Sequence, residues 1–403
     1  MQAAVGTLIL ATSLVQLANG FFGTFISLRL TAADFGATLT GLVLSSYFAG
    51  FTLGALYCGR IIARIGHIRA YAAFAGLVGA ATAAMPLLVD PWAWLLLRGA
   101  IGVGCVGLFI TTESWLNAKA RPETRGRVFS VYMVGTFIAL AIGQLLIGQI
   151  AIDSALPFNA IVALFAVALV LVSTTRAEPP GVMPESHLPY GQLTRAAPVA
   201  VLGCVISGMV SAAFYALVPA WMTGSGIPHG TIALFMLVAV LGGLAFQVPV
   251  GWFSDAFDRR VVLAVLAAGF AATAIALPML PRTLAFALPV AALLGGFMST
   301  LYPVCVAHAL DRMPADRMVA ISGRLILVSG IGSVIGPMAG SAIMARLDID
   351  GVLFFMAAAA LLLAGVAAAR SLQRAAPAHH ERTFDILAPQ ATPLAHDPET
   401  AAP

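Results

Sequence analysis

The feature that most constrains this chain is a series of twelve long apolar stretches. A helix needs about 20 mostly apolar residues to cross the hydrocarbon core of a bilayer. The stretches that meet this length have predicted limits of 4–28, 37–58, 70–89, 92–117, 128–152, 157–175, 198–222, 230–252, 261–280, 283–309, 318–345 and 351–369. Only 9% of the 403 residues are charged, whereas about 25% is usual for a soluble domain. We therefore predict an all-α integral membrane protein with twelve transmembrane helices.

The basic residues are distributed unevenly between the two ends of these stretches. Of the 21 Lys and Arg residues, sixteen lie in segments on the side that carries both termini. Only Arg29, Arg282 and Arg346 lie on the opposite side, and Arg98 and Arg324 lie within stretches. Because short cytoplasmic loops are enriched in Lys and Arg, both termini are predicted to be cytoplasmic. We expect a prokaryotic plasma (inner) membrane location.

A polar, Pro-rich segment divides the chain into two sets of six stretches. The predicted units are an N-terminal six-helix bundle over 1–175, a cytoplasmic central loop over 176–197 and a C-terminal six-helix bundle over 198–370. Residues 371–403 are rich in Ala and Pro, and we predict a disordered cytoplasmic tail.

The two halves also have related sequences. "GRIIARIGHIR" begins at Gly59, after the second stretch, and "GWFSDAFDRR" begins at Gly251, after the eighth, an offset of 192 residues. At nearly the same offset, Gly143 of the fifth stretch corresponds to Gly336 of the eleventh. Internal repeats of this kind are common in membrane transporters, whose binding sites lie at the interface of the repeats. We predict two pseudo-symmetric bundles.

The hairpin after the second stretch resembles a signature of the major facilitator superfamily, Gly-x-Leu-Ala-Asp-Arg-x-Gly-Arg. This copy keeps Gly59, Arg64 and Gly66 but has Ala63 in place of the acidic residue. The family carries a degenerate second copy between its eighth and ninth spans. Here that copy keeps Gly251 and the acidic residue, Asp255, but Ala256 stands in the Arg position.

A second pattern supports the resemblance. In "LLLRGAIGVG" of the fourth stretch, Arg98 is followed four residues later by Gly102, as in the family. The resemblance covers residues 1–370 and implies a secondary active transporter that moves a small organic molecule by alternating access. We predict coupling to protons. The alternatives are an uncoupled facilitator of the same fold and a non-transporting membrane sensor or scaffold.

The resemblance also implies that a hairpin carboxylate docks on the neighbouring half and latches one conformation. Only the second copy retains this acid, Asp255. We predict that it meets the start of the fifth span, where Arg125 and Arg127 lie and where a helix N-terminus favours an anion. Alternatively, both hairpins serve only to keep their loops cytoplasmic.

Charged residues within membrane spans are candidates for function because they are costly there. Arg98 is the leading candidate for substrate binding or coupling, and the alternative is an Arg that extends to the outer membrane surface. Glu113 lies near the cytoplasmic end of the same span. We predict that it pairs with Arg64 or Arg69 of the first hairpin, and the alternative is a protonatable carboxylate in the cavity.

The family's central cavity is lined by spans 1, 4, 7 and 10. The resemblance therefore makes the polar and aromatic residues of these spans candidate ligands for the substrate: Gln16, Asn19, Tyr215, Thr300 and Tyr302. A lone amide in a span can instead hydrogen-bond a neighbouring helix.

The eleventh stretch contains glycines at helical spacing and a proline. Gly residues four apart allow helices to approach closely, and Pro337, directly after Gly336, removes a backbone donor and bends the helix. We predict a bent, tightly packed helix at the junction of the halves, where Gly50 and Gly54 of the second span would meet it.

Motifs for other chemistries were not found in the sequence. It has no GxxxxGK[ST] phosphate loop, no Ser/His/Asp set and no metal-ligand cluster, so we predict neither an enzyme nor a cofactor or metal site. The expected partners are a small-molecule substrate, protons and the lipid bilayer. The basic pI of about 9.1 is attributed to cytoplasmic arginines facing anionic lipid rather than nucleic acid. No obligate protein partner is evident.

Overall fold

The structure is a computed structural model that describes residues 2–120, 124–175, 190–281, 283–313, 318–373 and Phe384. The described residues form helices at α1 Gln2–Ala32, α2 Ala37–Ile65, α3 His67–Ala84, α4 Pro91–Lys119, α5 Arg125–Gln144, α6 Leu156–Ser173, α7 Tyr190–Ala196, α8 Pro198–Gly224, α9 His229–Ala256, α10 Arg259–Ala276, α11 Leu284–Leu310, α12 Met318–Arg346 and α13 Gly351–Gln373. A 3₁₀ turn, Leu277–Met279, follows α10.

Twelve of these helices are long enough to cross a membrane. Each of eleven contains an 18-residue stretch of high mean hydropathy with at most two charged residues. The twelfth, α3, has 18 residues, and its mean hydropathy is reduced by His67 and Arg69 in its first turn. The short helix α7 is additional and lies within 176–197, where only a loop was predicted. The described chain thus confirms an all-α membrane protein with twelve spans.

The helices pair in the same order in both halves. In the first half α1 packs on α5 and α6, α2 on α4, and α3 on α6; in the second half α8 packs on α12 and α13, α9 on α11, and α10 on α13. Gly143 of α5 lies against the backbone of Leu17 in α1, and Gly336 of α12 lies against that of Met209 in α8. Neither site has room for a Cβ atom. The predicted pseudo-symmetry is therefore confirmed.

The glycines of α2 and α12 do not meet as predicted. Gly50 and Gly54 lie against α4, whereas Gly336 faces α8. These three glycines therefore pack inside their own halves, and α12 meets this part of α2 through Gly330, which lies against Thr52. Pro337 does lie at the junction of the halves, because its carbonyl oxygen faces Gly41 of α2.

Two helix ends differ from the predicted limits. The fifth span was predicted to reach residue 152, but α5 ends at Gln144 and turns follow. Gly148 in this segment has a φ of 82°, a left-handed conformation that ends regular helix. The second span was predicted to end at 58, but α2 continues to Ile65. A single glycine, Gly66 with a φ of 83°, then separates α2 from α3.

Several contacts between the two halves lie at one end of the bundle. We name the end that carries the start of α1 and the end of α13 the terminal side, and the opposite end the distal side. Towards the distal side, Ser27 Oγ of α1 donates a hydrogen bond to the carbonyl of Ala216 in α8 at 2.6 Å. Gly41 of α2 lies against Ser341 of α12 there, and Gly148, in the turns after α5, lies against Gly230 at the start of α9. These contacts close the distal side.

The C-terminal residues depart from the prediction of a tail that begins at 371. Helix α13 continues to Gln373, because the Ala-rich segment after Gly365 reaches Gln373 without a further Gly or Pro. Phe384 packs against Gly251 at the terminal end of α9. The remainder of the predicted tail lies outside the described residues.

Candidate functional site

A cavity of about 210 Å³ lies between the halves, just inside the distal contacts. Helices α1, α2, α4 and α5 line it from the first half, and α8, α11 and α12 from the second. Its polar and charged lining residues are Gln16, Asn19, Thr24, Thr52, Arg98, Gln144, Ser207, Ser211, Ser299, Ser329 and Ser333, together with the phenols of Tyr47, Tyr215 and Tyr302. Much of the remaining lining is apolar, and it includes the rings of Phe22, Phe48 and Phe51.

Arg98 is the charged residue of the described lining. Helix α4 begins at Pro91, and Asp90 caps it by accepting hydrogen bonds from two backbone amides of the first turn. Arg98 then lies two turns inside the helix and is only 5% exposed. Its guanidinium carbon is 4.9 Å from the ring centroid of Phe22 and 4.6 Å from that of Tyr47. The side chain is thus held inside the bundle and does not extend to the outer membrane surface.

Gln16 and Asn19 also line the cavity, one turn apart on the same face of α1. Asn19 Nδ2 donates to Gln16 Oε1 at 3.4 Å, and Cys105 Sγ of α4 donates to Asn19 Oδ1 at 3.6 Å. The amides therefore hydrogen-bond within α1 and to α4 while they still border the cavity. The arrangement is compatible with both roles considered from the sequence, which are a ligand for the substrate and a hydrogen bond to a neighbouring helix.

Of the three candidates on α8 and α11, Tyr215 and Tyr302 line the cavity and Thr300 does not. Thr300 is fully buried, and its Oγ1 donates to the carbonyl of Gly296 in its own helix at 2.9 Å. Two residues along a helix correspond to a rotation of about 200°, so Thr300 and Tyr302 lie on nearly opposite faces. The prediction of Thr300 as a cavity residue was wrong for this reason.

The family pattern of four lining spans missed the contributions of α2, α5 and α12. Tyr47 of α2 contacts Arg98. Gln144 of α5 accepts a hydrogen bond from Thr24 Oγ1 at 2.6 Å and donates to the carbonyl of Gly20 at 2.7 Å. A glutamine in the apolar run "LAIGQLL" was the available sequence signal, of the same kind as Gln16.

The first hairpin lies on the terminal side as an extension of α2. Gly59 and Arg64 are exposed, and Gly66 supplies the left-handed turn into α3. After it, His67 is buried, and its Nε2 is 2.8 Å from Ser114 Oγ of α4. Gly66 therefore allows an abrupt reversal of the chain, and His67 fixes the start of α3 to α4.

Glu113 is fully buried two turns before the terminal end of α4. Tyr132 of α5 donates a hydrogen bond from its hydroxyl to Glu113 Oε1 at 2.9 Å. Arg64 and Arg69 are exposed and form no salt bridge with Glu113 in the part of the chain that the structure describes. The predicted ion pair with Arg64 or Arg69 is therefore not formed, because Glu113 faces α5 in the bundle interior, where it accepts the hydrogen bond of Tyr132.

The acid of the second hairpin has its partners in its own half. Asp255 Oδ1 is 3.3 Å from Arg259 Nη2, and Arg259 Nε is 2.7 Å from Oδ2 of Asp311, the residue that directly follows α11. Among the described residues, no salt bridge joins Asp255 to Arg125 or Arg127. The predicted terminal latch is therefore not formed in this conformation.

Arg260 links the same hairpin to the last helix. It is 2% exposed, its Nη2 is 2.7 Å from Asp258 Oδ2, and its Nη1 donates to the carbonyl of Arg370 in α13 at 2.8 Å. Burial alone would raise the pKa of Asp258, but the hydrogen bonds and positive charge of Arg260 outweigh it and lower that pKa. The terminal end of the second half is thus tied together by buried ion pairs.

Comparisons with known proteins agree with this architecture. The sequence profile described as Major Facilitator Superfamily matches residues 8–245 and 200–390. The chain is 30% identical over 347 residues to the uncharacterized MFS-type transporter YcaD of Shigella flexneri and of Escherichia coli. The aligned region covers 86% of this chain and 90% of each relative.

Solved structures show the same fold at low sequence identity. A point mutant of the nucleoside transporter NupG aligns with a TM-score of 0.76 at 13% identity, over 91% of this chain and 99% of that one. An inward-facing, occupied bacterial homolog of the human lysosomal transporter Spinster aligns with a TM-score of 0.73 at 16% identity, over 93% and 98%. From the profile match and the YcaD relatives we conclude that the chain belongs to the Major Facilitator Superfamily of membrane transporters.

Proposed function

We propose that the protein is a secondary active transporter that moves a small organic molecule by alternating access and couples this movement to protons. The observation that carries the proposal is the central cavity between two pseudo-symmetric halves, with joints between them on the distal side. A site at a repeat interface can be exposed to either side of a membrane when one half rocks against the other.

We further propose that the terminal side faces the cytoplasm of a bacterial cell. In the sequence, sixteen of the 21 Lys and Arg residues lie in segments predicted on the side of both termini, which agrees with the positive-inside rule, and the YcaD relatives are bacterial. With this orientation the distal contacts face the periplasm. The described conformation is then closed to the periplasm, and the inner membrane is the location.

Glu113 supports coupling to protons. It is a fully buried carboxylate on α4, the helix that also carries Arg98. Protonation would change how it interacts with Tyr132 and so alter the α4–α5 contact. A structural neighbour at 16% identity is named a D-xylose-proton symporter, which indicates that this fold accommodates proton coupling.

One observation favours the uncoupled alternative. The described residues that line the cavity include no Asp or Glu, so a proton on Glu113 would act at a distance from the substrate. A facilitator of the same fold needs no such carboxylate. The two mechanisms predict different proton movements.

Reconstituted proteoliposomes with a trapped pH-sensitive dye distinguish them. We expect that a compound that binds the purified protein also enters the vesicles and changes the internal pH. Glu113→Gln is expected to retain exchange of that compound across the membrane but to abolish the pH change. Flux without any pH change in the wild type would establish the uncoupled mechanism, and binding without flux would contradict transport.

A further inference from the structure

We propose that the transported molecule is a small organic monoanion, with a carboxylate or a similar anionic group that binds Arg98 and an apolar or aromatic body. This inference rests on the proposed transport function and names the substrate class of the same cavity. It follows from the charge, the partners and the surroundings of one side chain.

The charge of Arg98 has no counter-charge in the described cavity. A guanidinium stays protonated at any working pH, and Arg98 is 5% exposed. Its Nε has no hydrogen-bond partner, and no acidic side chain of the described residues forms a salt bridge with it. A buried charge without a partner is costly. An anionic ligand would remove this cost.

The surroundings of Arg98 hold its guanidinium in place without neutralising it. The rings of Phe22 and Tyr47 attract it through cation–π interactions, which add no negative charge. A guanidinium confined in this way keeps its planar set of donors, which matches the two oxygens of a carboxylate. The geometry therefore favours a planar, bidentate anion.

The rest of the lining defines the body of the ligand. Arg98 is the sole Lys, Arg or His among the described lining residues, so a single negative charge is matched and a polyphosphate is not. Phe48 and Phe51 provide aromatic surface, and Gln16 and Asn19 provide amides for further hydrogen bonds. A cavity of about 210 Å³ limits the body to a small molecule.

Two matched sets of probes test the inference by thermal shift on the purified full chain. The first set is 3-phenylpropionate, 3-phenylpropionamide and 3-phenylpropylamine, which share a skeleton and differ in charge. The second is the corresponding acid, amide and amine on an indole skeleton. We expect the acids at millimolar concentration to raise the melting temperature, and the amides and amines to bind at least tenfold more weakly.

Substitutions at Arg98 give the second arm of the test. Arg98→Gln should abolish the acid-induced rise in melting temperature. Arg98→Lys keeps the charge but loses the planar, bidentate set of donors, so it should retain a smaller rise. Arg60→Gln, which removes an exposed arginine of α2, should leave the shift unchanged. If Arg98→Gln does not fold, a smaller acid-induced rise in melting temperature for Arg98→Lys than for the wild type still tests whether Arg98 binds the acid.

Three results would overturn the inference. These are equal shifts by an amide or an amine, an acid-induced shift that survives both Arg98 substitutions, and no shift by either acid. The first two leave the proposed transport of a small molecule intact, because a ligand still binds. The absence of binding by every probe of all three charge classes would count against the proposed function as well.

Discussion

At the scale of single residues, the polar side chains inside the helices differ in where their hydrogen bonds go. Thr12, Ser46 and Thr300 donate to carbonyls of their own helices, so they need no neighbour. Gln144 and Tyr132 bond to groups on other helices, and such bonds fix one helix against another. The second kind is where a substitution should affect the whole bundle.

Tyr132→Phe should destabilise the protein through Glu113. It removes the hydroxyl that donates to a fully buried carboxylate, and such a loss typically costs about 1–3 kcal/mol. We expect a lower melting temperature in detergent. Tyr57→Phe is the matched control, because Tyr57 is 55% exposed, and it should change little. Equal melting temperatures for the two variants would show that the Tyr132–Glu113 bond contributes nothing.

Sequence alone could place some of these residues and not others. The one-turn spacing of Gln16 and Asn19 put both on one face, and the two-residue spacing of Thr300 and Tyr302 already excluded a shared face. The partner of Glu113 depends on which helix packs against that face of α4. That choice is a property of the assembled bundle, and local periodicity does not contain it.

At the scale of helices, glycines set which pairs approach closely. Gly143 and Gly336 occupy equivalent positions, in the α1–α5 and α8–α12 pairs. The repeat in the sequence predicted their correspondence, but it did not predict the helices that they face. Gly50 and Gly54 likewise form the small-residue face that was predicted, but this face packs on α4 and not on α12. Several helices of a bundle can accept such a face, so the sequence does not specify the partner.

Gly143→Ala should weaken the α1–α5 pair. Its Cβ would collide with the backbone of Leu17, so the helices must separate, and overpacking of this kind typically costs about 1–3 kcal/mol. Gly79→Ala is the control, since Gly79 lies within α3 with open space beside it. There an alanine should be neutral or stabilise the helix by roughly 0.5–1 kcal/mol. Thermal unfolding that ranks the two variants in the opposite order would refute this packing.

Asp311→Asn should be strongly destabilising. Arg259 is 1% exposed and the side chain of Asp311 is 3% exposed, and breaking a buried pair typically costs about 3–5 kcal/mol. Asp153→Asn breaks the Arg29–Asp153 pair, in which Asp153 is 86% exposed. An exposed pair contributes about 0–1 kcal/mol. The melting temperature should therefore fall much further for Asp311→Asn than for Asp153→Asn, and equal decreases would mean that the Arg259–Asp311 pair does not stabilise the fold.

At the scale of the whole molecule, the number of spans and the division into halves could be predicted because both depend on composition and repetition. The conformation of the bundle, closed at the distal side, could not be predicted from the sequence. Its inter-half joints depend on contacts such as Ser27 with Ala216, between residues 189 positions apart. The predicted Asp255 latch belongs to a conformation in which the terminal ends meet, and it remains a prediction.

The central claim is that one cavity opens alternately to the two sides of the membrane. The most direct test is the labelling of Ser211→Cys, in a background without the four native cysteines, by a membrane-impermeant maleimide. Ser211 lines the cavity. The reference variants are Arg64→Cys on the terminal side and Gly226→Cys in the distal turn after α8.

The two references should each be labelled from one side only, Arg64→Cys from the cytoplasm and Gly226→Cys from the periplasm. We predict that Ser211→Cys is labelled from both sides, and more slowly from the periplasm because the distal contacts must first open. Labelling of Ser211→Cys from a single side, with both references behaving as expected, would contradict alternating access.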